Sequence, residues 1–235
     1  MGTYIFPTMQ TAAALLSRRP HRRYPEVTLG DAEIALRLGL VHELCGPARH
    51  TLALAIAARL QGPVVWISQA KSADTLCPDG VADLINPGNL LFVTANKRDD
   101  VLWAMEEALR DGRAPTVVGD LSAPPSMVPV RRLHLAAEAG CGAAFCHPLA
   151  LLLTPEEGGA PGIETRWSLH SVHRQDAHLW RLNRLRARMA PPREWMMTLH
   201  PSGFAPCILA PVPSPALPDD HRYSTVGQKE QPHVA

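Results

Sequence analysis

Between about residues 27 and 175, five short apolar runs alternate with stretches of helical periodicity, and this constrains the fold more than anything else in the chain. The runs are "LVHELC", "PVVWIS", "NLLFVTA", "PTVVGDL" and "LALLLT". A strand with one wet face alternates polar and apolar residues, whereas a nearly unbroken apolar run marks a strand covered on both faces. The stretches between them fit helices. Residues 51–60, "TLALAIAARL", are apolar almost all round. Residues 99–111 carry Val101, Leu102, Met105, Ala108 and Leu109 at helical spacing, with Asp99 and Asp100 in the N-cap region and a stop before Gly112. A further helix is expected over 128–139, with Arg131 and Arg132 toward its polar side. This β-α-β-α order predicts a doubly wound, mainly parallel sheet. At 235 residues and 46% hydrophobic, the chain can bury one sizeable core with appendages.

The ends read differently. After "LALLLTP" the Gly/Pro-rich "EEGGAPG" breaks the pattern, and "IETRWSLHSV" alternates like a last strand, an antiparallel edge in expectation. Residues 176–189 read as a basic amphipathic helix. Leu179, Leu182, Leu185 and Met189 lie on one side of its wheel, Arg181, Arg184 and Arg188 on another, and Trp180 opposite the apolar stripe. From Pro201 onward six prolines fall by residue 218 and no periodicity remains. The expected organisation is a basic extension at 1–26, a core at 27–175, a basic helix and extension at 176–200, and a Pro-rich disordered tail at 201–235.

Composition narrows the chemistry. Five scattered cysteines argue against a disulfide framework. No apolar run reaches the roughly 18 to 20 residues that span a bilayer. The basic cluster near the N-terminus follows its apolar patch, the reverse of a signal peptide, so a cytoplasmic location is expected. Lysine occurs only at Lys71, Lys97 and Lys229, and seven arginines against one acid, Asp176, fall between Thr165 and Arg193. Arginine suits forked contacts with carboxylate or phosphate.

The turn after "VHELC" occupies the position of a phosphate loop. In a G-x-x-x-x-G-K-[ST] loop, successive backbone N–H groups wrap the phosphates, the lysine reaches their oxygens and the hydroxyl holds Mg²⁺. Here Gly46 is followed by Pro47, Ala48, Arg49, His50 and Thr51. Taking Thr51 as the hydroxyl leaves four residues after Gly46, where the pattern has six. The second glycine and the lysine are missing, and Pro47 removes an N–H donor. Two readings stay open. In one, this is a strand-helix turn without a ligand; in the other, Arg49 or His50 meets a phosphate at the helix N-terminus while Asp120, ending "TVVGD", directs a metal.

The stretches "HELCGPARHTLALAIAARL", "VVWI", "LLFVTANKRDDVLWAMEEALRDG", "RRLHLAAEA", "ETRWSL" and "LWRLNRLRARMAPPREW" span roughly 41–197. In that order they resemble the RecA-like core, and more narrowly the ImuA-type proteins of bacterial SOS mutagenesis cassettes. The resemblance implies an α/β, RecA-like P-loop NTPase-type core with a degenerate phosphate loop. It implies a role in damage-induced translesion synthesis beside an ImuB-type Y-family-like protein, an error-prone polymerase and RecA. On this reading Gly46, Arg49, His50, Thr51 and Asp120 are a vestige. No cofactor, metal or catalysis is expected.

Surfaces for partners are then the interest. Trp103 points away from the apolar stripe of its helix, so either another element of the chain, such as the C-terminal helix, covers it, or it anchors a partner. Trp180, Arg181, Arg184 and Arg188 suggest a second docking surface, for an acidic protein groove or for single-stranded DNA, against the alternative of a solvated charged face. Cys141, Cys146, His147 and His134 lack the paired spacing of a structural zinc site. Glu106 and Glu107 diverge by about 100° on a helix and make a poor carboxylate pair.

Overall fold

The computed structural model describes residues 25–70, 76–142, 146–173 and 178–198, with the backbone of 207–208. The chain opens with a hairpin of β1 (Glu26–Leu29) and β2 (Asp31–Arg37), which forms its own two-stranded sheet. The main sheet collects β3 (Val41–Cys45), β4 (Val64–Gln69), β5 (Leu90–Ala95), β6 (Thr116–Asp120), β7 (Leu149–Leu153), β8 (Thr165–Ser171), β9 (Leu179–Ala187), β10 (Arg193–Thr198) and a short β11 (Cys207–Ile208). Its order is β11-β10-β9-β8-β3-β7-β6-β4-β5. From β5 to β8 every neighbouring pair is parallel, and from β8 to β11 every pair is antiparallel.

The five apolar runs become β3 to β7, and the helices fall between them. These are α1 (Arg49–Ala57), α2 (Pro78–Ala82), α3 (Arg98–Asp111) and α4 (Met127–Gly142). α3 stops where expected, with Gly112 in the left-handed region at φ 70° as its cap. β7 explains why such runs need no polar alternation. Leu149, Leu151 and Leu153 enter a core shared with the hairpin, α1 and α2, while Ala150 and Leu152 enter a second core beneath α3 and α4. Both faces are dry, and burying each Leu contributes roughly 1.5 to 3 kcal/mol.

The C-terminal part departs from the sequence reading. Residues 179–187 form β9, not a helix. Leu and Arg are good helix formers, but along this segment Trp180, Leu182 and Arg184 share one side of a strand, and Leu182 is fully buried with Trp167, Leu169 and Trp195. Tertiary burial at period two overrides local propensity. The supposed apolar stripe is split between faces: Leu185 is half-exposed and Met189 largely exposed. β8 is not an edge either, since it pairs with β3 on one side and β9 on the other. The sheet thus continues past residue 175 through β10. The basic extension, apart from its last two residues, and the Pro-rich tail, apart from the backbone of β11, lie outside the described residues. Among the described residues no helix is long and apolar enough to cross a membrane.

Candidate functional site

In a parallel α/β sheet, ligand sites gather beyond the carboxyl ends of the strands. The Gly46 turn stands there, between the central strand β3 and α1, and Asp120 ends β6, with only β7 between the two strands. The structure therefore brings Gly46, Arg49, His50, Thr51 and Asp120 to one end of the sheet.

The turn is tied down by its own backbone. Gly46 has φ 81°, and a Cβ there would lie 3.0 Å from the Leu169 carbonyl oxygen, so the position needs glycine twice over. Its N–H donates to the Glu156 carbonyl at 2.8 Å, the Ala48 N–H donates to the Leu169 carbonyl at 3.1 Å, and the Arg49 N–H turns back to the Gly46 carbonyl at 3.3 Å. Pro47 has no N–H. Every residue from Gly46 to Arg49 is thus either without a donor or already bonded to a carbonyl of the protein.

The side chains close over Asp120, which is 4% exposed. His50 Nε2 lies 2.9 Å from one carboxylate oxygen; an ionised carboxylate only accepts, so Nε2 carries the proton. Arg49 Nε lies 3.9 Å from the other oxygen. The aspartate that could direct a metal is held by two basic side chains instead. The His50 ring also sits 5.8 Å from that of Trp66, and with Thr51 it borders a cleft of roughly 340 Å³ shared with Cys77, Asp83 and Trp180.

The expected docking residues separate. Trp103 on α3 is 61% exposed, so no described element covers it. Its neighbour Glu106 is buried and pairs with Arg132 of α4 at 2.8 Å. Trp180 is partly buried against the core and meets His173 edge-on at 4.6 Å. Arg184 is buried under the hairpin: Nε donates to the Pro191 carbonyl at 3.0 Å, Nη1 to the Glu33 carbonyl at 2.9 Å, and the guanidinium lies 5.7 and 5.1 Å from the Trp167 and Trp195 rings. Its burial lowers its pKa. Arg188 pairs with Glu164 at 3.3 Å. Of the three arginines, Arg181 alone is exposed without such a described partner, so they form no continuous basic face.

Two buried polar networks were not anticipated. Glu43, fully buried in β3, accepts from Thr154 Oγ1 at 2.7 Å, from the Gly159 and Ala160 N–H groups at 2.9 and 3.0 Å, and from Arg166 Nε of β8. It anchors the loop after β7. On the opposite face, His42 Nε2 donates to the Arg37 carbonyl at 2.9 Å, which leaves Nδ1 to accept from the Thr165 hydroxyl at 2.6 Å; Thr165 Oγ1 in turn accepts from the Trp167 indole. Burial pushes the His42 pKa down to about 4. The available signal was "VHELC" itself, where two ionisable residues interrupt a strand otherwise buried on both faces.

Among the described residues no group of three or more His, Cys, Asp or Glu side chains is placed to hold a metal ion. Cys146 donates to the Gly112 carbonyl at 2.8 Å, and burial raises its pKa. Cys45 is pushed up to about 12, chiefly by burial. In comparison with known proteins, no family model and no curated protein matches this chain.

Proposed function

We propose that this chain is a cytoplasmic, non-catalytic, RecA-like adaptor of the ImuA type, acting in DNA-damage-induced error-prone translesion synthesis. Its partners on this reading are an ImuB-type Y-family-like protein, RecA and an error-prone polymerase. One observation carries the non-catalytic part: the backbone donors of the Gly46 turn are spent on the Glu156 and Leu169 carbonyls, while Arg49 and His50 occupy Asp120. A phosphate loop works by leaving those donors free. The parallel sheet, with that turn on its central strand, supports the RecA-like part. Exposed Trp103 supports docking, because tryptophan is over-represented among interface anchors.

Calorimetric titration of the pure chain with Mg²⁺ and ATP is expected to give no heat of binding. Hydrolysis that Thr51→Ala or Asp120→Ala abolishes would overturn the reading and favour an ATPase or switch. A direct single-strand binder has weaker support, since Arg184 is buried and the exposed Arg188 is paired with Glu164. That reading would be reinstated by oligonucleotide affinity falling steeply with salt.

A further inference from the structure

β5 is the last strand of the sheet, and its outer backbone edge has no partner among the described residues. It is also unusually apolar for an edge: Leu91 is 52% exposed, Phe92 61% and Val93 38%. Natural edges of this kind are blunted by charge, proline, a bulge or a covering segment, because an open apolar edge templates strand addition. β5 has no proline and no charged residue, and it runs in unbroken register with β4. Covering is the remaining device.

The charged groups around the edge are of both signs. On α3, which lies against β5, Asp100, Glu107 and Asp111 share one exposed stripe bordering the partly buried Ala104 and Ala108. Glu107 pairs with Arg110 and Asp111 with Arg113, while Lys97 and Arg98 stand at the start of the helix. Asp79 and Asp83 are exposed at α2, on the other side of the sheet. The carboxyl end of α3 adds the negative end of its dipole.

A segment that fits lies just upstream in the same chain. Leu38 donates to the Pro25 carbonyl and Gly39 to the Pro148 carbonyl, both at 2.8 Å, so the chain enters beside the start of β7. In the sheet order β7 stands three strands from β5, a distance of about 15 Å at the usual strand spacing. Residues 18–24 alone can span roughly 23 Å when extended. They include Arg18, Arg19, His21, Arg22 and Arg23, and upstream lies Thr3-Tyr4-Ile5-Phe6, β-branched and aromatic. The apolar part can reach the apolar edge.

We propose that the β5 edge is the docking site of this chain's own N-terminal segment, with Thr3–Phe6 added as a strand. The inference is independent of the function proposed above. Hydrogen exchange on the full chain at low micromolar concentration tests it. Amides of residues 90–95 are expected to exchange slowly, and Ile5→Asp with Phe6→Asp to speed them by roughly tenfold or more while β7 stays protected. Equally fast exchange in both proteins would overturn the proposal. So would protection that appears only as concentration rises, which would mean that a second copy supplies the strand.

Discussion

The parallel half of the sheet and its antiparallel wing are held together by different chemistry. Across β4, β6 and β7 the contacts are mainly hydrocarbon on both faces, with Leu151, Leu152, Val117 and Ile67 fully buried. From β8 to β10 the contacts are arginines laid on tryptophans and threaded to carbonyls, with Arg184 between Trp167 and Trp195. Arg37 and Arg188 both pair with Glu164, and Arg193 pairs with Glu33. Arginine density in this wing is therefore largely structural. A run of arginines can be the inside of a fold as readily as its outside.

The seam between the halves is where this contrast is most easily broken. Glu43 belongs to β3 and its partner Arg166 to β8, so Glu43→Ala strips a partly buried guanidinium of its carboxylate and leaves two loop N–H groups without an acceptor. The expected loss is about 3 to 5 kcal/mol, read as a lowered urea midpoint.

The His42 network on the other face predicts a pH effect of slightly smaller size. Unfolded, His42 binds a proton near its ordinary value of 6.5; folded, it does so only near 4. Between those values the unfolded chain holds the proton and the folded chain does not, so stability falls as pH drops from 6.5 and levels off below 4. The full loss is roughly 3 kcal/mol. His134, lowered in the same direction by burial, adds to it. Denaturation midpoints across this window should flatten in His42→Gln.

Within the wing, Arg184→Met keeps much of the volume but abandons two carbonyls and two aromatic faces. A cost of about 1 to 3 kcal/mol is expected, visible as a lower melting temperature; no change would mean that the arginines of the wing are ornamental. The smallest stability effect belongs to Trp103→Ala, within about 0.5 kcal/mol because the side chain is exposed. On the adaptor function proposed above, its expected consequence is weakened co-purification with an ImuB-type partner, and undiminished co-purification would remove Trp103 from the proposed docking surface.

The same contrast explains what could be read from the sequence. A strand dry on both faces announces itself as an unbroken apolar run, and β3 to β7 were legible for that reason. β9 was not, because "LWRLNRLRA" satisfies a helical wheel and its period-two burial becomes visible only once Trp167 and Trp195 stand beside Arg184. The hairpin of β1 and β2 and the strand β10 carried no comparable signal. At the candidate site, the departure of Gly46–Thr51 from a G-x-x-x-x-G-K-[ST] loop was plain in the residues. The engagement of Asp120 by His50 was not, since it joins positions 70 residues apart.

The bonds of the Gly46 turn also make it resistant to conversion into a phosphate loop. Replacing Arg49 with lysine would supply the side chain that phosphate loops use, but the Gly46 and Ala48 amides would still face Glu156 and Leu169. Lengthening the turn to free them would cut the ties that fasten β3 to the end of β8 and to the loop after β7. Acquiring a phosphate site here would require several simultaneous changes, each harmful alone, so the turn works as a ratchet that keeps the central strand committed to architecture.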